Sequence, residues 1–249
     1  MDLKDTVAVV TGGNGGLGQR ICHALADEGV NIAVVYARSA DEAEGVAREL
    51  RQKEVASDAF ACDVSDPDQV SRMVDQVKQR YGRIDLLIND AAYNKSIPFK
   101  DLDNLTLDEW QKIIDINLTG PMLCMKAVAP VMQAQGNGRI VNIASIAGLV
   151  PHGSSIAYAV SKAGLIHLTK CFAVALSPQV LVNCVAPGLL EGTRATSNLL
   201  ESQIEHAASQ SLLKIAADKD DVADQVVTMC RTNTMTGQTI VIDSGRVFN

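Results

Sequence analysis

The stretch VVTGGNGGLG, residues 9–18, stands between an apolar run and a segment with helical periodicity. Five of its ten residues are glycine, and they fit two templates: G-x-G-x-x-G beginning at Gly13, and T-G-x-x-x-G-x-G beginning at Thr11. Glycines let the backbone turn sharply, and the unpaired N–H groups at a helix N-terminus attract anions. Both templates therefore predict a loop that holds the phosphates of a dinucleotide, and the glycines alone do not choose between them.

Seven short apolar runs alternate with helix-like segments along the chain. The runs are continuous and rich in Val and Ile, which is typical of parallel strands buried on both faces. They predict one α/β domain over residues 1–249, a doubly wound Rossmann fold with a seven-stranded parallel sheet. The predicted strands lie near residues 7–12, 30–37, 57–64, 84–91, 138–145, 180–188 and 237–245, and the helices near 17–28, 40–53, 66–81, 106–135, 157–177 and 219–231.

Residues 189–218 break this alternation and are expected to form a loop and a helix after the sixth strand. Ligands of such sheets bind outside the carboxyl ends of the strands. The segment is therefore predicted to be a substrate lid, with a plain packing insertion as the alternative.

Composition excludes several classes of function. A net charge of −7 disfavours nucleic acid as a partner. The N-terminus lacks the basic segment of a secretory signal, and no long uncharged apolar run predicts a membrane span, so we expect a cytoplasmic protein. The six cysteines are expected to be buried and reduced, and the four histidines lack metal-ligand spacing, so no metal site is predicted.

A second set of residues lies far downstream. Ser145 ends a predicted strand, and Tyr158 and Lys162 stand four residues apart at the start of a predicted helix. Residues at that spacing share one helix face, so the ammonium group is expected beside the phenol. A nearby cation lowers the pKa of a phenol. A lowering of about 3 units requires roughly 4 kcal/mol, which we expect from the lysine together with a positively charged nicotinamide in a site shielded from water. The pattern predicts a tyrosine that exchanges protons with a substrate.

These motifs together resemble the short-chain dehydrogenase/reductase family over essentially the whole chain. The resemblance rests on the glycine loop, Asp63, NDAA at 89–92, Asn117, Ser145, Tyr158, Lys162 and Pro187-Gly188. It favours the register that begins at Thr11, and within the family the sequence is similar to 3-oxoacyl-[acyl-carrier-protein] reductases and related alcohol dehydrogenases.

The resemblance implies roles for individual residues. Tyr158 would be the general acid or base, and Ser145 would orient the substrate carbonyl or alcohol. Lys162 would hold the nicotinamide ribose and lower the pKa of the tyrosine, and Asn117 would position a water in a proton relay. The implied cofactor-binding residues are Thr11, Gly12, Asn14, Gly16, Leu17, Gly18, Asp63, Val64, Asn89, Ala91, Tyr158, Lys162, Pro187 and Gly188.

The end of the second predicted strand indicates which nicotinamide cofactor binds. Tyr36 occupies the position where NAD-specific relatives carry an acid, and Arg38 and Ser39 follow it. An arginine fork suits phosphate oxygens, so these three residues predict NADP, with NAD as the alternative. The alternative for Arg38 is that it is a solvated charge on a surface loop.

Four positions depart from the family pattern or stay open. Asp90 and Ala92 replace an Asn and a Gly, which adds a charge and demands a compatible backbone. Thr193 is a further candidate for a contact with the cofactor's carboxamide. His152 is either a substrate contact or, as expected more often, a surface histidine.

The leading hypothesis is an NADP(H)-dependent oxidoreductase for a carbonyl or secondary alcohol. An NAD-dependent alcohol dehydrogenase and a non-catalytic redox sensor are the alternatives. The resemblance also implies a small-molecule substrate and a homotetramer or homodimer that assembles through the helices 106–135 and 157–177 and the last strand.

Overall fold

The computed structural model describes residues 1–193, 196 and 201–248. The strands in these residues are β1 (Val7–Thr11), β2 (Asn31–Tyr36), β3 (Ser57–Ala61), β4 (Leu86–Asn89), β5 (Gly138–Ile143), β6 (Val180–Pro187) and β7 (Thr239–Ile242). The helices are α1 (Gly16–Asp27), α2 (Ala40–Arg51), α3 (Pro67–Tyr81), α4 (Leu107–Ile114), α5 (Gly120–Gln135), α6 (Ile156–Leu176), α7 (Glu201–Ser209) and α8 (Lys219–Arg231).

All seven strands pair in parallel, in the order β3-β2-β1-β4-β5-β6-β7. The chain builds outward from β1 to β3, then returns to the other side of β1 with β4, where Thr11 lies opposite Asn89. Such a reversal opens a crevice at the carboxyl ends of the two central strands. The predicted Rossmann fold is confirmed.

The core lies on both faces of the sheet. In β1, Ala8 and Val10 pack beneath α1, α2 and α8, whereas Val7 and Val9 pack beneath α3, α5 and α6. Side chains of a strand point alternately to its two faces, so a strand covered on both sides is apolar throughout. This explains the continuous runs of Val and Ile in the sequence.

The helix predicted over 106–135 is present but contains an irregularity. The chain is helical from α4 through α5 without a break, and one π-helical turn, Asp115–Thr119, lies between them. A π turn carries more residues than an α turn and leaves the helical direction nearly unchanged, so hydrophobic periodicity does not reveal it. The turn places Asn117 in the protein interior.

The cysteines and the apolar helix α6 differ in detail from expectation. All six cysteines are free, but Cys171 is exposed because it lies on the outer side of α6. By length and composition, α6 alone among the described helices could cross a membrane. In this structure α6 packs against β6 and α5 and carries Lys162 in its buried face. The described residues contain no cluster of three or more metal-ligating side chains.

Candidate active site

A cavity of about 1090 Å³ opens at the carboxyl ends of β1, β4, β5 and β6. The glycine loop, the start of α6, the described residues after β6 with α7, and the C-terminal segment all contribute to its walls. That residues 189–218 act as a substrate lid remains a prediction. Nine of the predicted site residues line the cavity: Gly12, Gly16, Leu17, Ala91, Ser145, Tyr158, Lys162, Pro187 and Gly188.

The remaining predicted residues lie outside this cavity. Arg38 and Ser39 are exposed beyond the end of β2, and Asp63 is exposed beyond the end of β3. Others are buried behind the cavity wall. The predicted residues that do not line it are Thr11, Asn14, Gly18, Tyr36, Arg38, Ser39, Asp63, Val64, Asn89 and Asn117.

The glycine loop is packed so tightly that side chains are excluded at particular positions. Gly12 has φ +68°, and a Cβ on Gly16 would lie 2.5 Å from the carbonyl oxygen of Gly192. A Cβ on Gly18 would lie closer still to the carbonyl oxygen of Gly12. Gly13 and Gly15 have negative φ and no such contact below 3.0 Å. A side chain is therefore least tolerated at Gly12, Gly16 and Gly18, which are the glycines of the T-G-x-x-x-G-x-G register.

Two polar side chains hold the glycine loop in place. The Thr11 hydroxyl accepts hydrogen bonds from the N–H groups of Asp90 and Ala91, both at 3.1 Å. The Asn14 amide donates to the Arg38 carbonyl oxygen at 3.1 Å. These bonds tie the end of β1 to the segments that follow β4 and β2, so Thr11 and Asn14 fix the backbone of the loop.

A buried chain of polar groups continues under the site. The Asn89 amide donates to Asn142 Oδ1 at 2.8 Å, and the Asn142 amide donates to Thr169 Oγ1 at 2.9 Å. This chain joins β4, β5 and α6. Asn89 is buried and Asn89 Oδ1 has no hydrogen-bond partner among the described residues.

Ser145 and Tyr158 meet because two caps place them. Ser145 follows β5 and accepts a hydrogen bond from the Ala147 N–H at 3.2 Å, which starts a 3₁₀ turn. Ser155 caps α6 by accepting a hydrogen bond from the Tyr158 N–H at 3.1 Å, which sets Tyr158 in the first turn. The phenol of Tyr158 is hydrogen-bonded with Ser145.

Lys162 lies one helical turn beyond Tyr158, as the spacing predicts. Its ammonium group is buried, donates to the Ile143 carbonyl oxygen at 2.8 Å, and stands 5.7 Å from the centroid of the Tyr158 ring. Burial lowers the pKa of Lys162 to about 8, and the carboxyl of Asp90 opposes that shift.

Burial dominates the pKa of Tyr158 in the protein alone. It raises the pKa to about 12, the hydrogen bond from Ser145 opposes the rise, and Asp90 adds to it. The sequence argument expected Lys162 and a positively charged nicotinamide together to lower this pKa, and that joint effect remains a prediction. The ammonium group of Lys162 bonds to the backbone, and burial outweighs the other influences in the protein alone. At neutral pH the phenol therefore holds its proton.

Asn117 occupies the π turn and uses its whole side chain to hold a neighbouring segment. Its Oδ1 accepts from the Tyr93 N–H at 2.8 Å, and its amide donates to the Tyr93 carbonyl oxygen at 2.9 Å and to Ser161 at 3.2 Å. The side chain acts as a bridge between α6 and the segment after β4. Its predicted place in a proton relay remains a prediction.

Asp90 departs from the family pattern in the sequence but is not among the predicted site residues. It lines the cavity, and its carboxyl accepts a hydrogen bond from the Gly18 N–H. Burial raises the pKa of Asp90 to about 7, while Lys162 and the Gly18 bond oppose the rise. Ala92 also lines the cavity with a negative φ, so alanine fits where the family has glycine.

The outer part of the cavity contains two residues whose roles the sequence left open and two that it did not predict. Thr193 lines it, and so does His152, although its side chain is exposed. His206 on α7 and Arg246 in the C-terminal segment were missed. No local motif signals them, because only the fold brings residues 152, 206 and 246 together.

Comparison with known proteins defines the class. A family model described as short chain dehydrogenase matches residues 6–204. The chain is 37% identical to a 3-oxoacyl-[acyl-carrier-protein] reductase of Staphylococcus epidermidis, covering 96% of this chain and 97% of that one. It is 35% identical to a 3-oxoacyl-[acyl-carrier-protein] reductase of Synechocystis, covering 99% and 98%.

Solved structures agree with the sequence relatives. A short-chain dehydrogenase/reductase structure from Burkholderia xenovorans superposes with a TM-score of 0.90 at 28% identity, covering 97% of each chain. The fold and the comparisons define an oxidoreductase that acts on C=O or CH–OH groups. The chain belongs to the short-chain dehydrogenase family.

Proposed function

We propose that this protein is an NADP(H)-dependent carbonyl reductase in which Tyr158 is the general acid. The observation that carries the proposal is the convergence of Ser145, Tyr158 and Lys162 on a cavity that the glycine loop also lines. A redox sensor that only binds a dinucleotide needs the glycine loop but does not need Ser145, Tyr158 and Lys162 together.

The residues around the cavity suit a nicotinamide dinucleotide. Gly12, Gly15 and Gly16 line the cavity, and because they carry no side chains a phosphate can approach the backbone N–H groups at the start of α1. Pro187 and Gly188 at the end of β6 line the same cavity beside Tyr158. When bound, the reduced nicotinamide supplies the hydride that reaches the carbonyl carbon.

Side chains of this protein would bind and protonate the carbonyl oxygen of the substrate. The Ser145 hydroxyl would donate a hydrogen bond to that oxygen and orient the carbonyl. The Tyr158 phenol would then give its proton to the oxygen as negative charge develops there. The ammonium group of Lys162, fixed on the Ile143 carbonyl, supplies the nearby positive charge that favours this transfer.

The protonated phenol suits the role of general acid. Burial raises the pKa of Tyr158, so the phenol is in its acid form at neutral pH, as a proton donor in reduction must be. In the reverse reaction the same group would accept the proton as a phenolate, a form that the positive charge of an oxidised nicotinamide would favour.

The choice of NADP is proposed from the end of β2. None of Tyr36, Arg38 and Ser39 is acidic, although the Glu42 carboxylate lies nearby and accepts a hydrogen bond from Asn14 at 3.5 Å; Arg38 forms no ion pair with any described residue. A free guanidinium at this edge suits the 2′-phosphate. An NAD-dependent alcohol dehydrogenase is the competing outcome.

We further infer a homo-oligomer, as the resemblance implies. Leu107 at the start of α4 and Val174 near the end of α6 are 76% and 80% exposed. Phe248 in the C-terminal segment is 77% exposed. Leu107 and Val174 lie on helices that the resemblance assigns to the contact between copies, and their exposure supports the inference.

A cofactor-dependent activity screen tests the proposed function. Purified protein is incubated with NADPH or NADH and with 3-oxoacyl thioesters, ketones and cyclic ketones, and the loss of reduced nicotinamide is followed by absorbance. We expect turnover of a carbonyl compound with NADPH preferred. Binding of both cofactors without turnover of any carbonyl or alcohol contradicts the proposal and favours the sensor.

A further inference from the structure

The outer part of the cavity is rich in groups that donate hydrogen bonds to anions. Arg246, His152 and His206 line it together, from three separate segments of the chain. Among the described lining residues, Asp90 is the only carboxylate. The groups that affect the pKa of Asp90 are Lys162 and Gly18, so its interactions lie with the inner wall. The outer wall therefore has positive charge that no lining carboxylate neutralises.

Arg246 is held at this wall by a fixed turn. Both carboxylate oxygens of Asp243 accept backbone hydrogen bonds, one from Gly245 at 3.0 Å and one from Val247 at 2.7 Å. The turn also bonds to the segment after α7, where Leu212 donates to the Gly245 carbonyl at 3.2 Å. Each oxygen of the Asp243 carboxylate thus has a backbone donor, and Arg246 forms no ion pair with a carboxylate of the described residues.

His152 faces Arg246 as a neutral partner. The guanidinium Nη2 lies 3.3 Å from His152 Nε2. Burial and the charge of Arg246 both lower the pKa of His152, which keeps the imidazole neutral at physiological pH. The Arg246 N–H can therefore donate to the ring, and the pair presents the remaining N–H groups of both side chains.

The cluster lies close to the reacting centre. Gly153, which follows His152, packs so that a Cβ there would lie 3.8 Å from Cδ1 of Tyr158. Neighbouring Cα atoms are about 3.8 Å apart, so His152 is one residue removed from contact with the tyrosine ring. On α7, Ser202 and His206 line the same cavity four residues apart, and Gln210, just after the helix, also lines it. Ser202 and His206 share one helix face, and all three add polar donors.

We propose that Arg246 and His152 form a subsite for an anionic group, a carboxylate or a phosphate, that the carbonyl substrate carries. This inference rests on the proposed function, because it assigns the other end of the same substrate. A guanidinium without a carboxylate partner binds carboxylate and phosphate oxygens through paired N–H bonds. The subsite selects oxo acids or phosphorylated oxo compounds over neutral ketones and esters.

Matched substrate pairs test the subsite and distinguish the two anions. The first pair is a 3-oxo carboxylate and its methyl ester. The second is a 3-oxoacyl phosphopantetheine thioester and the corresponding pantetheine thioester, which lacks only the phosphate. Each is assayed with NADPH and NADH for the wild-type protein, Arg246→Gln and Arg246→Lys. Arg48→Gln, at an exposed arginine of α2, is the matched control.

The wild-type protein is expected to prefer the anionic member of one pair by about 10-fold to 100-fold in kcat/KM, as charge-assisted hydrogen bonds allow. Arg246→Gln removes that preference and leaves kcat/KM for the neutral member within about twofold, while Arg48→Gln keeps the preference. The pair that shows the effect identifies the anion.

Two results overturn the subsite in distinguishable ways. Reduction of neutral and anionic members with equal kcat/KM by the wild-type protein overturns the subsite and leaves the proposed function standing. A preference that survives in Arg246→Gln does the same. Failure to reduce any member with either cofactor contradicts the proposed function, and the subsite with it.

Discussion

Replacing Asp90 by Asn tests the electrostatics of the site through stability. The pKa of Asp90 is raised from 3.8 to about 7, chiefly by burial. A raised carboxyl pKa means that the folded protein holds this proton more tightly than the unfolded chain. Asp90 therefore lowers stability progressively as the pH rises from about 4 to 7, and the loss stays constant above pH 7.

The magnitude follows from the size of the shift. A shift of about 3 units at 1.36 kcal/mol each gives a cost of about 4 kcal/mol for ionised Asp90. The amide in the Asp90→Asn variant carries no charge, but it also cannot support the ammonium of Lys162, whose pKa then falls further below about 8. The weaker support of the Lys162 ammonium offsets part of the stability gained by removing the buried carboxylate. We therefore expect Asp90→Asn to raise the free energy of unfolding by about 2–4 kcal/mol at pH 8.

Urea denaturation at a series of pH values measures this effect. At pH 4 the wild-type protein and Asp90→Asn should differ little, and the difference should grow up to pH 7. Asp75→Asn, at an exposed aspartate of α3, is the control and should change stability by less than about 0.5 kcal/mol at every pH. A variant that is no more stable than the wild type at pH 8, or one with the same pH dependence, refutes the account of Asp90.

Two further predictions concern the cofactor and the glycine loop. Arg38→Ala should raise KM for NADPH about 10-fold or more and leave KM for NADH nearly unchanged, because only NADPH carries the 2′-phosphate; equal effects on both cofactors contradict the NADP assignment. Gly18→Ala should lower Tm, since its Cβ would overlap the Gly12 carbonyl, whereas Gly45→Ala, with open space around it in α2, should stabilise by about 0.5–1 kcal/mol. Thermal unfolding of the two variants measures the contrast, and equal shifts would show that the loop is not tightly packed.

Local sequence patterns were sufficient for the strands and for most of the helices. Continuous Val and Ile runs indicate strands that are buried on both faces. The ends of α3 are marked by its capping residue and the glycine that follows it: Asp66 accepts from the Asp68 N–H at 2.9 Å, and Gly82 has φ +78°. The π turn at Asp115–Thr119 escaped because an extra residue in one turn hardly disturbs the apolar period.

The electrostatics of the site could not be read from the sequence. The spacing of Tyr158 and Lys162 correctly puts them on one helix face, but the pKa of the phenol depends on its burial, which only the packed structure defines. Arg246 and His152 are 94 residues apart in the chain, and their contact depends on the fold of the C-terminal turn. Such long-range pairs leave no local motif.

The central claim is that Tyr158 gives the proton to the reduced carbonyl. Tyr158→Phe removes only the hydroxyl. The matched control is Tyr81→Phe at the end of α3, which removes a hydroxyl that donates to Asp58 at 2.8 Å. On a substrate found in the carbonyl screen, kcat of Tyr158→Phe should fall by about 10²–10⁴-fold, a much larger effect than any change in cofactor affinity, with Tyr81→Phe close to wild type. Turnover by Tyr158→Phe at the wild-type rate would contradict the claim.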